Sequence, residues 1–275
     1  MIIDIDVDYA VTMEDRRSFG DVSVWLEDDG LVAMAEIRRP PDNFFDSELI
    51  AALADGYAWL ATRTDARAVV LCSAGKHFCA GADFTGRSAA ARPGAGSVGE
   101  LYAQAARLFE MPLPVVAAVQ GAAIGGGLGL ACSADFRVTV PRGRFCANFA
   151  RLGLHHGFGL TATLPPIVGP QRALDLLCTG RRVDGEEAVR IGLADRLASA
   201  DELRACARAF ATEIAENAPL AVRSIRATMR AGLADRVRNA TARELAEQDR
   251  LRATADFAEG IRASAERRPP RFEGR

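Results

Sequence analysis

The strongest indications of the fold lie in the stretch PLPVVAAVQGAAIGGGLGLACSADFRV, residues 112–138. Its apolar run Val115–Val119 is short and rich in β-branched residues, which predicts a buried strand. A glycine-rich segment follows at 120–129, and an apolar run at 130–134 continues it as a helix. Another buried strand is predicted at 136–140. Strand, loop and helix alternate here, which is typical of an α/β fold with parallel strand pairing.

A β-hairpin is predicted upstream of this stretch. Val22, Val24 and Leu26 alternate with other residues, residues 28–30 (DDG) offer a tight turn, and 31–37 form a second extended run. Together with the later strands, the hairpin indicates repeated ββα-like turns.

Further elements follow from local signals. Asp46 or Ser47 can cap a helix whose leucines recur near helical spacing. The apolar segment Ala68–Ser73 predicts another buried strand. The small, polar stretch 86–99 contains proline and glycine and predicts a mobile loop, and a helix is predicted at about 100–110.

The pattern is helical almost throughout after about residue 170, with long segments at 201–216, 220–231 and 234–265. We therefore expect three parts. These are an N-terminal extension at residues 1–20, an α/β core at 21–215 and a helical oligomerisation region at 216–275. Helical appendages of this kind often lie on a neighbouring subunit.

Composition excludes several classes of protein. The 275 residues include 36 acidic and 34 basic ones, so the charge balance argues against bulk nucleic-acid binding. No apolar run reaches the roughly 18 residues of a membrane span, and the acidic N-terminus resembles no secretory or transit peptide. None of the six cysteines forms a CxxC pair, and the three histidines form no HExxH motif. We expect a cytoplasmic protein with reduced thiols and no metal site.

Two motifs that follow buried strands carry the chemistry. In KHFCAGAD, residues 76–83, small side chains at 80–82 leave backbone N–H groups accessible. GAAIGGG, residues 121–127, opens a helix, whose first N–H groups lack internal partners and carry partial positive charge. Taken alone, the motif at 76–83 also fits a plain strand-to-loop turn. The motif at 121–127, taken alone, also fits tight helix packing. Together they predict two backbone donors around one polarised carbonyl, an oxyanion hole.

These residues resemble a known family. RRPPDNFF (38–45), GKHFCAGADF (75–84), the stretch 112–138 and GRRVDGEEAVRIGLADRL (180–197), in that order, resemble the enoyl-CoA hydratase/isomerase, or crotonase, superfamily over residues 21–275. The resemblance implies an α/β fold, a crotonase-like spiral of ββα turns with a C-terminal helical trimerisation region. It also implies a homotrimer or a dimer of trimers, an acyl-CoA thioester as substrate, and no tightly bound cofactor, since coenzyme A is part of the substrate.

The resemblance also implies site residues. The thioester oxygen would accept hydrogen bonds from the N–H groups of Ala82 and Gly126, which favours enolate-like intermediates. Arg267 would lie near the nucleotide of an adjacent subunit, whereas Ser264 stands where an aromatic residue is common. The loop at 86–99 would cover the acyl pocket. The residues expected to contact substrate are Arg38, Lys76, Ala80, Gly81, Gly125, Phe149, Phe158 and Arg267.

The chain departs from the family pattern at both proton-transfer positions. The two glutamates of similar hydratases are replaced by Gly129 and Phe149, neither of which can transfer a proton. His155 and His156 are the candidate replacements, although either also fits a loop histidine packed at the pocket wall. Isomerisation, hydrolysis, decarboxylation or carbon–carbon cleavage is therefore expected before standard hydration. A non-catalytic acyl-CoA-binding protein and hydration by an unusual set of groups remain as alternatives.

Overall fold

The computed structural model describes residues 16–27, 30–82 and 97–275. Seven strands form the main sheet: β1 (Arg17–Phe19), β2 (Val22–Leu26), β3 (Val32–Ile37), β4 (Ala68–Ser73), β5 (Val115–Val119), β7 (Phe136–Thr139) and β10 (Arg196–Leu197). Their order in the sheet is β1-β2-β3-β4-β5-β7-β10. Both strands predicted from β-branched runs, β4 and β5, are confirmed at their predicted bounds.

The predicted hairpin is confirmed, because β2 and β3 pair antiparallel with Val24 opposite Ala35. Its turn residues 28–29 lie outside the described residues. Strand β1 pairs antiparallel with β2, so the sheet extends into the segment 16–20 that the sequence predicts as an extension. Within the seven-stranded sheet, every pairing from β3 to β10 is parallel, and these strands therefore end at the same edge of the sheet.

A second sheet has the order β6-β8-β9, with β6 at Ala122–Ile124, β8 at Arg144–Cys146 and β9 at Arg182–Asp184. The glycine-rich segment thus contains a short strand that the loop prediction missed. The prediction of nearly continuous helix after residue 170 is also wrong at β9 and β10. Val183 is buried between two exposed neighbours and lies opposite Phe145, so two-residue periodicity applies there.

Helices cover both faces of the main sheet. The helices are α1 (Ser47–Ala61), α2 (Val98–Arg107), α3 (Gly126–Ser133), α4 (Leu160–Val168), α5 (Pro170–Thr179), α6 (Gly185–Arg190), α7 (Leu203–Ala215), α8 (Pro219–Met229), α9 (Leu233–Arg252) and α10 (Ala255–Ala265). Helix α1 begins after Asp46, whose side chain accepts a hydrogen bond from the Leu49 N–H at 2.8 Å, as its capping signal predicts. Helix α7 packs against β4 and β5 on the opposite face.

The C-terminal helices close over the α/β core. Helix α9 packs on α2 and α4, and α10 packs on the 3-10 turn Ala150–Leu152. The segment predicted as one helix at 234–265 is two helices, because Thr254 accepts a hydrogen bond from the Phe257 N–H and begins α10. All six cysteines are free thiols. Among the described residues, no helix combines the length and apolar character that crossing a membrane requires.

Candidate active site

A cavity of about 630 Å³ lies where the loops after β3 and β4 meet the start of α3. The turn before α4 and the C-terminal helices α9 and α10 form the rest of its wall. Six of the eight predicted substrate-contact residues line it: Ala80, Gly81, Gly125, Phe149, Phe158 and Arg267. Arg38 and Lys76 do not line it; Arg38 lies 3.4 Å from Glu36, and Lys76 is exposed.

The two chemistry-bearing motifs run side by side. Cys79 pairs in parallel with Ala123, and the Ile124 N–H donates to the Cys79 carbonyl at 3.1 Å. Ala82 and Gly126, which follow these contacts, both line the cavity. Neither of their N–H groups donates a hydrogen bond to a described residue. Residues 80–82 and 125–127 are called the glycine wall below.

Close packing explains why three positions of the glycine wall carry no side chain. A Cβ at Gly127 would overlap the Cys79 carbonyl, and one at Gly126 would overlap the Phe45 ring. Gly81 has φ +96°, and a Cβ there would lie 2.9 Å from the Ile124 oxygen. The backbone is therefore the only polar surface that this wall offers to a ligand.

Buried Asn43 ties the RRPPDNFF loop to the segment 74–77, which precedes this wall in the chain. Its side-chain nitrogen donates to the carbonyls of Ala74 and His77 at 2.7 and 2.6 Å, and its oxygen accepts from the Arg39 N–H at 3.0 Å. Asn43 is not among the site residues predicted from the sequence. Near Asn43, the sequence offers only two preceding prolines as a hint of its role. The carbonyls that it binds lie more than thirty residues away, so no local pattern indicates these hydrogen bonds.

Phenylalanines occupy the space where the hydratase carboxylates are expected. A Cβ at Gly129 would lie 2.6 Å from the Cβ of Phe158, which lines the cavity with φ +61°. Phe158 packs edge-on against Phe45, with 5.5 Å between ring centroids. The Phe149 ring lies over Gly125. Phe149 and Phe158 are called the phenylalanine wall below.

The structure does not bring His155 or His156 to the described cavity wall. The rings stack on each other, and His155 Nδ1 lies 2.8 Å from the His156 carbonyl. Because a carbonyl oxygen can only accept, His155 Nδ1 is protonated and donates this hydrogen bond. His156 Nε2 lies 2.8 Å from the Thr161 hydroxyl, which itself donates to Glu244 at 2.7 Å. His156 therefore donates to Thr161 from Nε2.

Burial and the neighbouring His155 lower the pKa of His156 to about 4. Its ring is therefore neutral at pH 7. Glu244 has a fully buried side chain and accepts hydrogen bonds from the Gly159 and Thr161 N–H groups at the start of α4. This network stabilises the turn before α4.

Three neutral polar side chains on the wall were missed by the sequence analysis: Tyr102, Asn148 and Gln248. The Tyr102 hydroxyl donates to Gln248 at 3.1 Å, and Gln248 donates to the His155 carbonyl at 3.0 Å. Burial, assisted by the charge of Glu244, raises the pKa of Tyr102, which keeps its hydroxyl protonated. The side-chain amide of Asn148 has no hydrogen-bond partner among the described residues. Its oxygen, Oδ1, lies 3.1 Å from the position that a Cβ on Gly125 would take.

Arg267 and Ser264 line the cavity of their own chain. Most of the loop predicted at 86–99 lies outside the described residues, but Val98, at its end, is on the cavity wall. In the described ranges, no group of three or more histidine, cysteine or acidic residues is placed to bind a metal ion. The described wall thus offers backbone donors, aromatic surface and a few neutral or cationic side chains.

The comparisons with known proteins agree with this geometry. The family model described as "Enoyl-CoA hydratase/isomerase" matches residues 27–275. The chain therefore belongs to the enoyl-CoA hydratase/isomerase family, within the crotonase superfamily, as the sequence motifs predict.

Relatives and solved structures extend the match over nearly the whole chain. A carnitinyl-CoA dehydratase of Proteus mirabilis is 32% identical over 258 residues, covering 92% of this chain and 99% of the relative. One from Salmonella arizonae is 33% identical over 259 residues, covering 92% and 98%. A crystal structure of an enoyl-CoA hydratase/isomerase from Pseudoalteromonas atlantica matches with a TM-score of 0.81 at 31% identity, covering 92% and 100%. The predicted crotonase-like α/β fold is confirmed.

Proposed function

We propose that this enzyme binds an acyl-CoA thioester in the cavity and stabilises its enolate form at the glycine wall. The thioester oxygen accepts hydrogen bonds from the N–H groups of Ala82 and Gly126. The observation that carries the proposal is the pair of N–H groups, at Ala82 and Gly126, that have no acceptor among the described residues and lie on two segments that run side by side along one cavity. Such donors act where negative charge develops, so they favour the enolate over the ground-state thioester.

We further propose that the reaction is isomerisation, hydrolysis, decarboxylation or carbon–carbon cleavage. Hydration by paired carboxylates needs an acid and a base near the acyl carbons. Gly129 is covered by Phe158, and Phe149 stands at the second position. The relatives named carnitinyl-CoA dehydratase are lyases by name, but no carboxylate and no histidine lines the described wall.

A panel of acyl-CoA thioesters, followed by mass spectrometry of the products, tests this proposal. We expect turnover of at least one thioester by one of the four reactions. Hydration of crotonyl-CoA at ordinary enzyme rates would contradict the exclusion of standard hydration. A second candidate, a non-catalytic acyl-CoA-binding protein, is favoured by the apolar phenylalanine wall. Calorimetric binding of the thioesters with no product after long incubation would select it.

We also propose that the chain assembles as a homotrimer or a dimer of trimers through α8. This helix buries no residue within the chain, and its apolar side chains Leu220, Ile225 and Met229 are 80, 64 and 78% exposed. An apolar face of this kind marks an interface. In sedimentation, Leu220→Glu/Met229→Glu should give a smaller species than wild type. The control Leu174→Glu changes an exposed leucine on α5 and should leave the mass unchanged.

A further inference from the structure

Arg252, near the end of α9, brings a positive charge to the wall of the cavity. Among the described residues of this wall, the only charged side chains are Arg252 and Arg267, and none is acidic. Arg267 also lines a second concave surface beside the end of α10, whereas Arg252 does not. The charge of Arg252 is therefore a property of the cavity itself.

The chain compensates the charge of Arg252 only weakly. Among the described residues, its ion pair joins Nη1 to Oδ1 of Asp249 at 3.4 Å, and the Asp249 side chain is 63% exposed. A pair of this length and exposure contributes little, because water screens it. The Arg252 side chain is only 30% exposed, so part of it is withdrawn from water. An anionic ligand group in the cavity would therefore meet a cation that the protein leaves largely unneutralised.

Buried neighbours on two helices position the guanidinium group of Arg252. Gln248, one turn earlier on α9, donates from Nε2 to the His155 carbonyl at 3.0 Å, which fixes the direction of its amide oxygen. That oxygen accepts from the Tyr102 hydroxyl at 3.1 Å and lies 3.4 Å from Arg252 Nη2. Tyr102 and Gln248 are both buried and both line the cavity. Gln248 thus links Arg252 to Tyr102 without neutralising its charge.

The same three helices also bring apolar side chains to the cavity wall. Val98 and Leu101 belong to α2, which packs against α9, and Ile261 belongs to α10. A ligand group beside these side chains loses contact with water. A methyl group next to Arg252 would leave the guanidinium without a partner, which costs free energy. A carboxylate there would instead accept two parallel hydrogen bonds from the planar guanidinium group.

We propose that Arg252 selects thioesters whose acyl chain ends in a carboxylate. This inference rests on the proposed function, because a thioester at the glycine wall is what directs the acyl chain through the cavity. The guanidinium group binds the distal carboxylate, and Tyr102 and Gln248 hold that group in place. Arg252 is a specificity-determining residue in this account and takes no part in proton transfer.

Calorimetry with matched pairs of thioesters tests the proposal. Each pair has the same number of acyl carbons and differs only in its end: glutaryl-CoA with pentanoyl-CoA, adipyl-CoA with hexanoyl-CoA, and suberyl-CoA with octanoyl-CoA. In at least one pair, the wild-type protein should bind the carboxylate-ended member about tenfold or more tightly than the methyl-ended member. The length of that pair identifies the reach from the glycine wall to Arg252.

Arg252→Gln should abolish this preference, bringing the two Kd values of the selected pair within about threefold of each other. The Kd of the methyl-ended member should stay within about twofold of wild type, which also shows that the variant folds and still binds the thioester. The control Arg250→Gln removes an arginine from the same helix that is 67% exposed and does not line the cavity. It should keep the wild-type preference.

Three results would overturn the inference and leave the proposed function standing. The wild-type protein could show no preference in any pair, or Arg252→Gln could keep the preference. The third is an equal loss of affinity for both members in Arg252→Gln, because Arg252 would then contact a part of the ligand that the two share. Failure of the wild-type protein to bind any of the six thioesters would overturn the proposed function as well.

Discussion

The two walls of the cavity differ in what they offer to a reaction. The glycine wall presents main-chain N–H groups, and close packing excludes a side chain at its glycines, as at Gly126 against Phe45. The phenylalanine wall presents aromatic rings and no acid or base. In this fold, polarisation of a carbonyl depends on backbone geometry, whereas proton transfer depends on which side chains are present. The two functions can therefore be separated.

The largest expected effect comes from removing a donor from the glycine wall. Ala82→Pro deletes the N–H while keeping the residue small, and turnover of the active thioester should fall about 100- to 1000-fold. Ala82→Ser keeps the N–H and should stay within a few-fold of wild type. Circular dichroism checks that both variants fold. Equal rates in a folded Ala82→Pro variant would remove this amide from the mechanism.

The phenylalanine wall can be challenged by returning a carboxylate to it. In Gly129→Glu the new side chain meets Phe158 in a buried site, so the free energy of unfolding should drop by about 3 kcal/mol or more. Urea unfolding measures this loss. Gly99→Ala is the control, because a Cβ there has its nearest neighbour at 3.6 Å and should be tolerated. Wild-type stability in Gly129→Glu would show that Phe158 does not exclude a side chain from this position.

A pH titration tests whether buried, neutral His156 stabilises the turn before α4. Its pKa is about 4 in the folded protein and near 6.5 in the unfolded chain, so the unfolded chain binds more protons between these values. Its contribution to stability is present above pH 6.5 and is lost as the pH falls towards 4, by roughly 2–3 kcal/mol. His156→Gln should lack that part of the acid dependence in thermal unfolding. An unchanged pH profile would contradict the assignment.

The smallest expected effect is the change in turnover when both histidines, His155 and His156, are removed. His155→Ala/His156→Ala should keep turnover within about threefold of wild type, measured at pH 7.5 with the variant folded, because neither ring lines the described cavity. A loss of a hundredfold or more would return the histidines to the mechanism and require them to move towards the ligand.

Local signals in the sequence predicted much of the fold. The strands β4 and β5 follow from β-branched runs, the start of α1 from Asp46, and the glycine wall from two motifs placed after strands. The contacts of Phe158 with Gly129 could not be predicted, because they join residues far apart in sequence. The same holds for the Asn43 hydrogen bonds and for the hydrogen bond between Tyr102 and Gln248.

The hydrogen bonds from Ala82 and Gly126 to the thioester oxygen can be measured by infrared spectroscopy of a bound thioester labelled with 13C at its carbonyl. Two N–H donors on one oxygen weaken the C=O bond, so the account predicts a carbonyl band at lower frequency in the complex than in water, with part of the shift lost in Ala82→Pro. A band at the same frequency in the wild-type complex as in solution would contradict it.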